Sequence, residues 1–132
     1  MIFVDTSFWA GLRGRRDNRH DAAIQAWRKF GRERLVTSNL VRGETWTLLR
    51  RKAGFRVAVD FLDTVEASLA VAVLQIEADI EETALAWLRE HDEREYSYVD
   101  ATSFMLMQSL RIREALAFDG DFSAAGFVEL RA

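Results

Sequence analysis

The sequence predicts an α/β fold, a three-layer sandwich built on a mostly parallel, twisted sheet. Strand-like and helix-like segments alternate along the whole chain with short connections, the pattern that parallel sheets require. The run Leu69-Ala-Val-Ala-Val-Leu-Gln-Ile76 is β-branched and almost free of polar groups, which suits a central strand covered on both faces. Acidic residues, Asp5 and Asp119, close two short apolar segments, and ligands in such sheets collect beyond the carboxyl ends of the strands. With 132 residues, residues 1–132 are expected to form one domain, since domains most often run to about 100–150 residues.

The elements follow in order. Residues 2–5 read as a buried strand, followed by a polar turn and an apolar helical stretch, Phe8 to Leu12. Residues 18–30 form an amphipathic helix with Ala22, Ala23, Ala26, Trp27 and Phe30 on one face. Leu35 to Thr37 is a second short strand, and residues 39–52 suit a helix that Asn39 could cap, with Leu40, Trp46, Leu48 and Leu49 turned inward. A further helix covers 55–66, and the strand at 69–76 follows. The helix from Glu77 to His91 opens with acids at its positive end. Ser97-Tyr98-Val99-Asp100 resembles a capping box, with Asp in place of the usual Glu or Gln, ahead of the apolar stretch to Leu110. A strand at 114–118, a turn at Gly120, a short helical piece and a strand at 127–130 complete the chain.

Four acids, Asp5, Glu44, Asp100 and Asp119, sit where strands end or helices begin. A carboxylate at the end of a buried strand costs many kcal/mol without a partner, and no Lys lies beside Asp5 or Asp119. A divalent cation is the economical partner. Cysteine is absent and there are only two histidines, His20 and His91, so the ligands must be oxygens, which favours Mg²⁺ or Mn²⁺ over zinc. A cation held by such a rim keeps coordination positions open for phosphate oxygens and activates water, which is phosphodiester hydrolysis without a protein nucleophile. Taken singly, each acid has a plainer role: Asp5 as a helix cap, Glu44 as a solvated residue, Asp100 as a first-turn acid, Asp119 as the start of an Asp-Gly turn.

Net charge is −3, yet the basic residues are almost all Arg, with clusters at Arg13, Arg15, Arg16 and Arg19 and at Arg50, Arg51, Lys52 and Arg56. Cations neutralising four acids would leave about +1 on the remaining surface, so nucleic acid stays possible, and Arg forks suit phosphate. Solvated helix faces explain the same clusters. No apolar run reaches the roughly 18 residues of a membrane span, and Met1 to Asp5 lacks the basic flank of a signal peptide; a soluble, cytoplasmic protein with no membrane partner is expected. Helical spacing makes core packing the default for Trp27, Trp46 and Trp87, whereas Trp9, beside Phe8, is the best aromatic for a contact surface with RNA or a protein.

Asp5-Thr6-Ser7 after the first strand, Glu44 in an early helix, Tyr98-Val99-Asp100-Ala101 opening a late helix and Ala117-Phe118-Asp119-Gly120-Asp121-Phe122 near the end together resemble the PIN domain. More narrowly they resemble the VapC-type toxin ribonucleases of toxin–antitoxin pairs. The resemblance spans residues 2 to about 130. It implies a PIN-like fold and an Mg²⁺- or Mn²⁺-dependent endoribonuclease that leaves 5′-phosphate and 3′-hydroxyl ends and is silenced by an antitoxin. By the same resemblance Asp5, Glu44 and Asp100 match the acidic triad, Asp119 the fourth acid and Asp121 an accessory metal ligand. Thr6 or Ser7 matches a supporting hydroxyl, and a homodimer is implied. Within this family a non-toxin nuclease of RNA processing is the alternative. Outside it, a phosphatase of haloacid dehalogenase type would need a second Asp where Ser7 stands, and a receiver-like module would need a late Lys, whereas the lysines are Lys29 and Lys52. A non-catalytic binding module would show no metal-dependent activity.

Overall fold

In the computed structural model, which describes residues 1–132, the chain forms a five-stranded sheet in the order β3-β2-β1-β4-β5 with every pairing parallel. The strands are β1 (Ile2–Val4), β2 (Leu35–Ser38), β3 (Val71–Leu74), β4 (Glu114–Leu116) and β5 (Val128–Glu129). The helices are α1 (Thr6–Arg13), α2 (His20–Phe30), α3 (Asn39–Lys52), α4 (Phe55–Ala67), α5 (Ala78–Glu90), α6 (Tyr98–Leu110) and α7 (Asp121–Ala124). The chain starts at the centre, steps outward through β2 to β3, then returns past β1 to β4 and β5. The direction of winding reverses between β1 and β4, and that is where such sheets hold ligands.

Local chemistry sets the helix starts near this point. Asp5 caps α1, accepting from the backbone N–H of Ser7, so the helix begins directly at Thr6 with no intervening turn. Trp9 is 1% exposed and packs on Trp27 and Phe61, so the expectation of a Trp9 contact surface is overturned. Ser38, not Asn39, caps α3 through a bond from the Val41 N–H. Asn39 instead accepts from the N–H of Ile76 at 2.7 Å, tying the start of α3 to the segment after β3. The capping box on α6 is complete: the Ser97 hydroxyl accepts from the Asp100 N–H, and the Asp100 carboxylate accepts from the Ser97 N–H. Arg111 closes that helix in the left-handed region at φ 58°.

The segment expected as the central strand lies at an edge. β3 pairs only with β2, Ala72 is exposed and Leu69 lies fully in solvent. Apolar composition reports on faces that helices cover and says nothing about edges, which backbone pairing decides. The central position belongs to β1, whose Ile2, Phe3 and Val4 are all buried. Two aromatic groups build much of the core. One joins Phe8, Trp9, Trp27, Phe61 and Phe118; the other gathers Trp87, Tyr96, Phe122 and Phe127 around Phe104. Trp27, Trp46 and Trp87 pack against the core, as their spacing implied. No helix is long and apolar enough to cross a membrane.

Candidate active site

Asp5 stands one residue beyond the end of β1, and its N–H continues the ladder to the carbonyl of Leu116 on β4. Asp5 is 4% exposed. One oxygen, Oδ2, accepts from both the hydroxyl of Ser7 at 2.8 Å and the Ser7 N–H. The same Ser7 hydroxyl accepts from the N–H of Phe118 at 3.0 Å. Ser7 therefore fixes the rotamer of Asp5 and joins the ends of β1 and β4 across the switch point. Thr6, the other candidate for a supporting hydroxyl, is buried with its Oγ1 unpartnered.

No guanidinium or ammonium pairs with Asp5. Burial therefore pushes its pKa up to about 7 against the Ser7 hydrogen bond, and the charge of Asp100 adds to the rise. Asp100, in the first turn of α6, is pushed up to about 6, chiefly by burial, with further repulsion from Asp121 and Glu44. These mutual repulsions join Asp5, Asp100, Glu44 and Asp121 into one electrostatic unit. Glu44 reaches it from α3, half-buried. Asp119 does not share the burial: it is exposed and accepts from Arg19 at 2.8 Å. Asp121 is paired as well, with Arg94 at 2.9 Å.

Each of the two perturbed acids has one oxygen committed to the chain itself, Asp5 Oδ2 to Ser7 and Asp100 Oδ2 to Ser97, and a second oxygen that no side chain engages. Two such oxygens fit a hard cation, because Mg²⁺ takes one or two carboxylates and keeps water in its other positions. The donor set, all oxygen and short of positive charge, matches that cation. No three of these side chains lie close enough to grip one ion together, so the fit rests on the Asp5–Asp100 pair, with Glu44 beside it.

Residues that sequence reasoning missed line the same rim. Arg94 is the lone arginine in the acidic stretch from Glu90 to Asp100, and nothing in its neighbourhood signals a partner 27 positions away. Tyr96 keeps its hydroxyl buried without a partner and lies near Glu93 and Arg94 and within the influence of Asp121 and Asp100. Arg19 belongs to the first basic cluster, and that cluster was its only signal.

Residues 2–128 match the sequence profile of the PIN domain. The chain belongs to the PIN domain family. Among its relatives, the 23S rRNA-specific endonuclease VapC20 of Mycobacterium tuberculosis, in strains CDC 1551 / Oshkosh and ATCC 25618 / H37Rv, is 55% identical over 131 residues, covering 99% of this chain and 98% of the relative. The crystal structure of Mycobacterium tuberculosis VapC20, described as a sarcin-ricin loop cleaving toxin, superposes with a TM-score of 0.94 at 53% identity and full coverage of both chains. The PIN fold expected from the sequence is thus the fold observed, and the switch point between β1 and β4 is the place in it where buried Asp5 meets half-buried Asp100.

Within this PIN domain the Ser7 bridge makes a sharp prediction. Ser7→Ala strips the hydroxyl donor from Asp5, leaving only the backbone N–H, and orphans the Phe118 N–H, a loss of about 1–3 kcal/mol for a buried group left unpaired. Urea unfolding of the variant is expected to show that loss. Mn²⁺ binding should weaken by about 10–100-fold, the usual cost of removing a group that orients a ligand; unchanged unfolding and unchanged Mn²⁺ affinity would remove Ser7 from the site.

Proposed function

We propose that this PIN domain is the toxin of a toxin–antitoxin pair, a metal-dependent endoribonuclease that cuts 23S rRNA and leaves 5′-phosphate and 3′-hydroxyl ends. The observation that carries the reading is the pair Asp5 and Asp100: one buried and one half-buried carboxylate without a cationic partner, pushed well above the ordinary carboxylate range at the switch point of the sheet. Full-length likeness to VapC20 supplies the substrate class.

Each part of the chain then has a task. Asp5 and Asp100 hold Mg²⁺ or Mn²⁺ through the oxygens left free by Ser7 and Ser97, with Glu44 as the third carboxylate of the rim. When bound, the ion supplies an activated water and charge stabilisation on the phosphoryl oxygens. The N-terminal ends of α1 and α6, which carry these acids, offset part of their negative charge. Burial of Asp5 beneath the rim keeps bulk water from its committed oxygen. Asp119 and Asp121, which the family resemblance adds to the acidic set, are already paired with Arg19 and Arg94. A cognate antitoxin protein, a homodimer and a cytoplasmic location belong to the same reading.

The test uses purified protein, ribosomes and Mn²⁺. A single cut in 23S rRNA is expected, with a 5′-phosphate on the downstream fragment, and EDTA should abolish it. Intact rRNA after prolonged incubation with Mn²⁺, or cleavage that persists in EDTA, would overturn the reading.

A further inference from the structure

Resting on the nuclease reading above, we infer that Asp119 and Asp121 serve this chain as holders of Arg19 and Arg94 rather than as metal ligands, and that these two guanidinium groups grip the RNA phosphates beside the scissile bond. The loop from Ala117 to Asp121, at the carboxyl end of β4, is surrounded by guanidinium. Arg19 donates from Nη1 to Asp119 Oδ1 at 2.8 Å and lies over the Phe118 ring at 5.5 Å. Arg94 donates from Nε at 3.1 Å and from Nη2 at 2.9 Å to Asp121 Oδ1, and Nη2 also reaches the Asp119 carbonyl at 3.4 Å. Asp119 and Asp121 thus already have cationic partners, in contrast to Asp5 and Asp100.

The geometry leaves donors over. A guanidinium carries five N–H groups in a rigid fork suited to two oxygens of one phosphate. Arg19 spends one nitrogen on Asp119; Arg94 spends Nε and Nη2 and keeps Nη1. Both side chains are about two-fifths exposed, so the spare donors face solvent at the rim where a polyanion would arrive. Stability alone does not call for this arrangement, because exposed ion pairs contribute little. Electrostatics does: a site containing Asp5, Glu44 and Asp100 repels RNA unless cations flank it. Arg19 also continues the line of Arg13, Arg15 and Arg16, which border a cavity of about 1050 Å³ beside the α1–α2 loop.

Two measurements on the RNA-free and RNA-bound protein separate the roles. Mn²⁺ binding to the RNA-free chain is followed by titration calorimetry. Binding of a fluorescein-labelled 2′-O-methyl hairpin with the rRNA loop sequence is followed by anisotropy in EDTA at several salt concentrations. Arg19→Gln and Arg94→Gln should each weaken the hairpin about tenfold and lower the salt slope by about one, with Mn²⁺ binding unchanged. Arg19→Lys should keep the slope and lose part of the affinity, because the charge remains and the fork does not. Asp119→Asn and Asp121→Asn should leave Mn²⁺ affinity within about twofold. Loss of Mn²⁺ binding in either Asn variant would overturn the assignment, as would wild-type hairpin affinity in both Gln variants or no hairpin binding by the wild type. Wild-type protein that binds the hairpin yet never cleaves rRNA would sink the nuclease reading and leave the phosphate grip standing.

Discussion

Replacing Asp5 by Asn is expected to abolish rRNA cleavage and, in the same protein, to raise the melting temperature in EDTA. The two effects have one cause. Asp5 is buried beside Ser7 with no cation, and its pKa of about 7 reports what its charge costs the metal-free fold. Each pKa unit corresponds to about 1.4 kcal/mol, so an uncharged replacement should recover on the order of 2–4 kcal/mol at pH 8, or roughly 7–14 °C. Asn also keeps the local structure, since it caps a helix as well as Asp does and its carbonyl oxygen can still accept from Ser7. Without a carboxylate the cation is lost, and cleavage should fall by more than about 100-fold, beyond the usual cost of an outer-sphere change.

The sign of the pH dependence follows from the direction of both shifts. The folded chain binds protons at Asp5 and Asp100 more tightly than the unfolded chain, whose carboxyls keep the ordinary value of 3.8. Their contribution to stability is therefore full below about pH 4 and is lost as pH rises through 6 and then 7. Metal-free wild type should melt progressively lower from pH 5 to pH 8, and Asp5→Asn should show a shallower decline over the same range. Added Mn²⁺ should reverse the loss in wild type alone. A variant that melts lower than wild type at pH 8 in EDTA, or one that still cuts, would remove Asp5 from the centre of the site.

How far the sequence foretold this site depends on how local each signal is. Asp5 was legible because three buried residues precede it and the helix it caps follows at once, so its position at a strand end needs only neighbours to be seen. Asp100 was legible through Ser97 three residues earlier. The alternation of elements similarly reveals an α/β fold, because parallel strands require intervening crossovers. What could not be read is pairing at a distance. Arg19 and Asp119 are 100 positions apart, and no local pattern joins them. Arg94 and Asp121 are 27 apart with α6 and β4 between them. Strand order failed for the same reason: the Leu69–Ile76 run records how apolar the strand is, whereas its place at the edge is decided by which backbone pairs with it. Trp9 was misplaced for the same reason, since the rings that bury it, Trp27 and Phe61, lie far along the chain.

Truncating Phe104 to Ala should be the most damaging change to stability, about 3–5 kcal/mol, the cost of removing a fully buried aromatic ring. Phe104 is 0% exposed and touches four other rings: Trp87 and Tyr96, edge-on at 5.3 and 5.7 Å, Phe122 at 4.9 Å, and Phe127, stacked at 5.5 Å. These come from α5, the loop before α6, α7 and the segment entering β5, so one ring ties α6 to elements on both sides of it in the chain. Asp100 lies one turn before Phe104 on α6, and Asp121 immediately precedes Phe122. A cavity at Phe104 therefore loosens both the helix that carries one candidate metal ligand and the turn that holds Arg94. Guanidinium unfolding should register the loss, and Mn²⁺ affinity measured well below the lowered melting point should fall with it. Phe55→Ala provides the contrast: Phe55 is 56% exposed and its ring meets Trp46 and Arg50, so its loss should cost under about 1 kcal/mol and leave Mn²⁺ binding alone, as surface substitutions usually do. Equal costs at the two positions would mean that the aromatic group around Phe104 does not anchor α6, and the rigidity assigned to Asp100 would then have to come from its capping box alone.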